Sequence, residues 1–384
     1  MADTIYIVDQ ILAAGIQAGA SDIHLEPYYN GLRVRYRIDG MLYDQASLDL
    51  TLTAQVIARV KVLANLDIAQ RRLPQDGKIQ LTNGPRVIDL RVATFPATTG
   101  EKLVIRILDR NLQPLQLTEL GFSVPFQAQL QRLIQYPAGF LLVTGPTGSG
   151  KTTTLYAALQ KLHTPERHII TLEDPIEYQL AGITQGQIQP ETGFTFAKGI
   201  KALLRQDPDV VMIGEIRDRE SAKIAIEAAL AGRLVFSTLH TNSAAGAMTR
   251  LIDMGIEAFL INAAVTGVVA QRLVRKLCLS CRVPVAPTAD EQRFMQQFNF
   301  KSAQLYQAPG CAQCQNLGYR GRLALAELLV MTDALRELLS AQPKLMAIQQ
   351  QAEQDGMVPL FQDGLQKVAA GEIALAELLR VIAH

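Results

Sequence analysis

The chain of 384 residues has no tryptophan, and aromatic residues of all kinds make up only 6%. That leaves no evident surface of interleaved aromatic and basic side chains on which single-stranded nucleic acid could stack. An excess of one charge is also missing. Lys and Arg number 37 against 36 Asp and Glu, a formal net charge of +1, so no global field draws the protein to a polyanion. Long apolar runs are absent too. The longest, Ile256 to Ala270, is interrupted by Glu257, Asn262 and Thr266 and falls short of the roughly 18 clean residues of a spanning helix. Asp3 and Asp9 stand where a secretory leader would be basic. The expectation is a cytoplasmic protein that makes no direct contact with nucleic acid and does any membrane business through partners.

Hydrophobic residues at 48% and charged residues at 19% suffice for packed cores, and the length suits two or three domains. To residue 111 the pattern is strand-rich. Leu32, Val34, Tyr36 and Ile38 alternate with Arg33, Arg35, Arg37 and Asp39, which predicts a strand with a very basic outer face. Asp39-Gly40 supplies a hairpin turn. The expectation over 1–111 is a small α+β domain, followed by a linker over 112–122. Beyond it, Phe140–Thr144, His168–Leu172, Val210–Ile213 and Leu234–Leu239 are short apolar runs of the buried parallel type. Helical patterns separate them, such as Arg219 to Ala231 closed by Gly232. This is a doubly wound α/β core over 123–274, whose ligands belong at the carboxyl ends of the strands. A cysteine module over 275–322 and a helical region over 323–384 complete the reading.

At the end of the first of these strands stands Gly145-Pro146-Thr147-Gly148-Ser149-Gly150-Lys151-Thr152, with Thr153 in the helical pattern from Thr152 to Leu162 that comes directly after. Glycines at this spacing let successive N–H groups wrap phosphate oxygens, and the helix N-terminus adds its positive dipole end. Lys151 reaches the β and γ phosphates of such a ligand and Thr152 ligates Mg²⁺. Hydrolysis also needs carboxylates near the metal and the attacking water. Two acidic groups follow strands of the same sheet: Glu173-Asp174-Pro175-Ile176-Glu177 and, in a Walker B-like element, Glu215. His240 follows a third strand at the same rim and is a candidate to sense the terminal phosphate.

All four cysteines fall in Cys278-Leu-Ser-Cys281 and Cys311-Ala-Gln-Cys314. Two such knuckles are the spacing of a tetrahedral Zn²⁺ site. With no histidine nearby to leave an open position, a structural clamp is expected; a disulfide is disfavoured by a reducing compartment.

These boxes together resemble the bacterial secretion ATPases of type II secretion and type IV pilus assembly (the GspE/PilB group). The resemblance runs from about Val8 to the end. It includes Ser21–Pro27, Arg33–Gly40, Arg71–Gly77, the phosphate loop, an acidic box at Thr171–Tyr178, the segment Gln206–Asp218 and a histidine box at Ser237–Ala244. It implies a RecA-like P-loop domain, a smaller PAS-like N-terminal domain and a C-terminal zinc-binding and helical extension. It also implies an ATP-hydrolysing hexamer that works on an inner-membrane platform protein, peripheral to the membrane. Glu177 is implied as the water-activating carboxylate with Glu173 the lesser alternative, Glu215 as the Walker B acid and His240 as phosphate-proximal. Arg91 and Arg106 are implied to stabilise the transferred phosphoryl group when the N-terminal domain closes. Full-length secretion members begin with a further docking domain, so a short competence motor for DNA uptake is an alternative, as is an ATP-binding scaffold without turnover.

Overall fold

The computed structural model describes residues 2–83, 86–109, 115–298, 300, 302, 304–341 and 343–382. The chain divides into two compact units, 1–113 and 114–384.

In the first unit, helix α1 (Ala2–Gln17) precedes strands β1 (Asp22–Tyr28), β2 (Gly31–Ile38), β3 (Met41–Asp44) and β4 (Leu48–Asp49). Helix α2 (Leu50–Leu63) then leads to β5 (Asp76–Asn83), β6 (Arg86–Ala97) and β7 (Gly100–Asp109). The sheet runs β3-β2-β1-β7-β6-β5, with β4 beside β2. Alternation works as read: Leu32, Val34 and Tyr36 enter a core with Ile23, Leu90 and Ile105, to which the helices bring Val8, Leu12, Val56 and Val60. Asp39 and Gly40 both take positive φ, 49° and 85°, as the tight right-twisted hairpin requires.

The opposite face differs from expectation. It is charge-compensated rather than very basic, because β1 and β3 place carboxylates among the arginines. Arg33 meets Asp44 at 2.7 Å, Arg35 meets Glu26 at 2.6 Å, and Arg106 meets Asp22 at 3.0 Å.

The second unit begins, among described residues, with a single 3₁₀ turn at Leu117–Glu119. Of the stretch read as a linker, 112–114 lies outside the described residues. The rest is docked: Leu117, Leu120 and Phe122 are buried in a core with α3 (Val124–Ile134). Strands and helices then alternate. They are β8 (Gly139–Thr144), α4 (Lys151–Leu162), β9 (Ile169–Glu173), β10 (Thr184–Gln187), α5 (Phe196–Leu203), β11 (Val210–Ile213), α6 (Arg219–Leu230), β12 (Leu234–Leu239), α7 (Ala244–Asp253), α8 (Ala258–Ala264) and β13 (Val265–Leu277). The sheet order is β10-β9-β11-β12-β8-β13-β16. Every residue of β8, β9, β11 and β12 is buried, because helices cover both faces of the parallel sheet.

Beyond β13 come the small pair β14 (Val283–Val285) and β15 (Leu305–Gln307), with α9 (Ala289–Gln297) between them. The region expected to be wholly helical from 323 instead opens with most of a long strand, β16 (Tyr319–Val330), paired antiparallel with β13. Only then do α10 (Asp333–Ser340), α11 (Leu345–Gln354), α12 (Leu360–Ala369) and α13 (Leu375–Ile382) follow. Leu323-Ala-Leu-Ala-Glu-Leu-Leu-Val330 is made of good helix formers, and its place beside β13 overrides that preference. The apolar run 256–270 is split between α8 and β13. Among the described residues no helix is long and apolar enough to cross a membrane.

Candidate functional site

The carboxyl ends of β8, β9, β11 and β12 open on one rim of the parallel sheet, and the glycine-rich loop lies there. Gly145, Gly148 and Gly150 take φ of 149°, 77° and 87°, conformations that only glycine adopts without strain. A Cβ at Gly145 would sit 2.5 Å from both Gln271 O and Ser149 Oγ. Pro146 and Thr147 are exposed, whereas Ser149 is buried and its hydroxyl has no partner. Lys151, Thr152 and Thr153 form the first turn of α4. The Lys151 ammonium donates to the loop's own carbonyls, Gly145 O at 2.8 Å and Pro146 O at 3.1 Å. Burial pulls its pKa below the usual lysine value; Glu215 opposes that and Arg272 adds to it. An orphaned buried hydroxyl, a loop that admits no Cβ at Gly145 and an inward-turned ammonium fit a phosphate ligand.

Glu215 follows β11 after one glycine. Its carboxylate contacts Arg217 Nη2 and stands 3.6 Å from His240 Nε2. The sheet therefore brings Lys151, Glu215 and His240 into one electrostatic neighbourhood. Glu177 is exposed on the loop after β9. Glu173 is different: it is 2% exposed, and its oxygens accept from Tyr156 Oη, from Thr171 Oγ1 at 2.5 Å and from Gln185 Nε2 at 3.1 Å. That network binds β9 to α4 and occupies the Glu173 carboxylate.

Arg91 and Arg106 belong to the first unit, directly opposite each other on β6 and β7. With Asp76, Lys78 and Val104 they line a pocket of about 360 Å³.

The rim also holds two residues that the sequence did not single out. Gln271 of β13, 1% exposed, donates to Ser149 O at 2.7 Å and accepts from Thr154 Oγ1 at 2.9 Å. Arg272 donates to Asn242 O at 3.0 Å and Asn242 Oδ1 at 3.1 Å, which fixes the loop after His240. The trace in the sequence is a polar pair interrupting the apolar run of β13.

The four cysteine sulfurs lie within 4.8 Å of one another. Cys278–Cys311 and Cys281–Cys314 are 3.9 Å apart and Cys311–Cys314 is 3.8 Å. A tetrahedron with metal–sulfur bonds of about 2.3 Å has edges of about 3.8 Å, whereas a disulfide spans about 2 Å. Burial disfavours the Cys314 thiolate, but N–H groups of Cys311 and Gly318 aim at its sulfur and bring its pKa down to about 6. The donor set fits a thiolate-bound zinc ion.

Comparison with known proteins shows which family the chain belongs to. The family model for type II/IV secretion system proteins matches residues 2–380. The type II secretion system ATPase E of Vibrio cholerae is 47% identical over 381 residues, which cover 99% of this chain and 75% of that protein. A putative type II secretion system protein E of Escherichia coli is likewise 47% identical, covering 99% and 77%. Among solved structures, the ATPase DotB of Legionella pneumophila matches with a TM-score of 0.71 at 21% identity, over 98% of this chain and 95% of that one. The pilus retraction motor PilT with bound ADP matches with a TM-score of 0.64 at 25% identity, over 97% and 95%.

Proposed function

The chain belongs to the type II/IV secretion system protein family, and from that premise we propose a cytoplasmic, hexameric, Mg²⁺-dependent motor that acts on an inner-membrane platform protein. It is an ATP hydrolase of the secretion and pilus class. The catalytic reading rests on one observation: Glu215 stands 3.6 Å from His240 and its charge is felt by Lys151 in the phosphate loop.

In this reading the loop amides of 145–150 and Lys151 hold the triphosphate. Thr152 and Glu215 arrange the magnesium ion, and His240 stands beside the terminal phosphate. A magnesium ion held there would supply positive charge that offsets the phosphate oxygens. Glu177, exposed where Glu173 is occupied, orients the attacking water and takes up its proton. Arg91 and Arg106 answer charge developing on the transferred phosphoryl group. Cys278, Cys281, Cys311 and Cys314 hold a structural zinc ion, which ties the end of β13 to the segment before β16.

The test is ATP binding and hydrolysis by Lys151→Ala, Glu215→Gln and Glu177→Gln, with the assembly mass measured alongside. Lys151→Ala loses binding. Glu177→Gln binds ATP as the parent does but hydrolyses it on the order of 10²–10⁴ times more slowly. Unchanged turnover in Glu177→Gln would move the base elsewhere, and a monomer under turnover conditions would end the hexamer.

A further inference from the structure

Glu327 is the one acid inside the apolar run of β16, and it is 3% exposed. A buried carboxylate is costly unless its oxygens are answered. Here two helix N-termini answer it. Oε1 accepts from the N–H of Ala244 at 2.7 Å, and Oε2 accepts from the N–H of Leu360 at 3.1 Å. These are the first residues of α7 and α12. Free N–H groups and the positive dipole end make each a place for negative charge. The α12 helix depends on it the more, because its own N-cap is Pro359, which has no side-chain acceptor. Burial still pushes the carboxyl above the usual range, with the two N–H groups and the charge of Arg272 opposing.

Only four residues, 240–243, separate β12 from the amide that Glu327 holds, and each is engaged. His240 faces Glu215. Thr241 N–H donates to Thr144 Oγ1 at 2.9 Å, on the last residue of β8 before the phosphate loop. Asn242 accepts from Arg272. Ser243 caps α7 through Gly246 N–H at 3.0 Å. A loop this short and this tethered has little slack, so a displacement of His240 is passed to the start of α7 and, through the shared carboxylate, to α12.

We propose that Glu327 is a positioning residue for the His240 loop and the link through which the nucleotide site is felt by the C-terminal helix α12. The inference rests on the reading of His240 as phosphate-proximal. It asks nothing of the cradle itself, so ATP affinity and turnover separate.

The experiment uses the full chain and Glu327→Gln, which keeps the size but leaves one good acceptor for two donors. ATP affinity is expected to stay within about threefold while kcat falls roughly tenfold or more, the pattern of an interaction felt in the transition state rather than in binding. Hydrogen exchange is measured with Mg-ADP and with a slowly hydrolysed Mg-ATP analogue. In the parent, the amides of α12 differ between the two nucleotides; in Glu327→Gln that difference is lost. Parental kcat in Glu327→Gln, or an α12 that ignores nucleotide in the parent, overturns the proposal. Should Glu327→Gln not fold, Leu360→Pro removes the α12 donor at a helix position that suits proline, and Leu360→Ala controls for the buried side chain lost with it; an α12 that still responds to nucleotide in Leu360→Pro then overturns it. His240→Ala run in parallel keeps the two readings apart. If it turns over ATP as the parent does, the reading of His240 has failed; if its turnover falls, a negative result with Glu327→Gln counts against this inference alone.

Discussion

Gln271 reaches across from β13 to hold the carbonyl of Ser149 in the phosphate loop at 2.7 Å. A carbonyl held that way is turned from the space where phosphate oxygens belong, which leaves the loop's N–H groups to face them. Replacing Gln271 with methionine keeps the bulk and abolishes both hydrogen bonds. One unsatisfied buried acceptor costs about 1–3 kcal/mol, so KM for ATP is expected to rise roughly tenfold with kcat little changed. ATP titrations of the variant decide it, and an unaltered KM would show that the loop keeps its shape without this clamp.

Arg106 is itself largely exposed, and the buried Asp22 carboxylate it meets keeps Ser21 and Arg37 as partners without it. Arg91→Ala and Arg106→Ala should therefore melt within a few degrees of the parent. If these arginines serve the phosphoryl group, hydrolysis falls by about 10³-fold or more, the scale of arginine fingers elsewhere. Two variants with parental turnover would return both residues to the role of surface strand arginines.

Removal of metal is the third test. With sulfurs spaced as a metal–thiolate tetrahedron, the purified chain is expected to carry one zinc ion. Chelation or Cys314→Ser should release it and lower the melting temperature, because site formation is part of the folding free energy of such a module. Elemental analysis that finds no zinc, together with no effect of chelator on melting, would rule the ion out.

Glu377 of α13 predicts a pH dependence. Burial would raise its pKa, but Arg380 and Arg275 bond to both oxygens and bring it from 4.5 down to about 2. A carboxylate whose folded pKa is depressed stabilises the fold above its unfolded value and loses that contribution as acid protonates it. The stability difference between the parent and Glu377→Gln should be full above pH 4.5 and shrink steadily towards pH 2. Denaturant unfolding across that range checks it, and a difference that stays constant with pH would refute the assignment.

What the amino-acid order settled by itself was local. The phosphate loop and its helix are consecutive residues, and their geometry follows from glycine conformations and one strand–turn–helix passage. The same holds for the two cysteine knuckles, the Asp39-Gly40 hairpin and the four buried strands, whose apolar runs admit one reading once helices flank them. Partnership across the sheet was beyond its reach. The run Leu323–Val330 reads as helix by its residues, and only pairing with β13 makes it a strand. The fate of a carboxylate is likewise set by its neighbours: Glu173 ends β9 and Glu215 follows β11, yet one is sealed by Tyr156, Thr171 and Gln185 while the other faces His240. Gln271 and Glu327 became visible for the same reason. Their hydrogen-bond partners lie 122 and 83 residues away in the chain, a distance that no local pattern spans and that only the folded sheet closes.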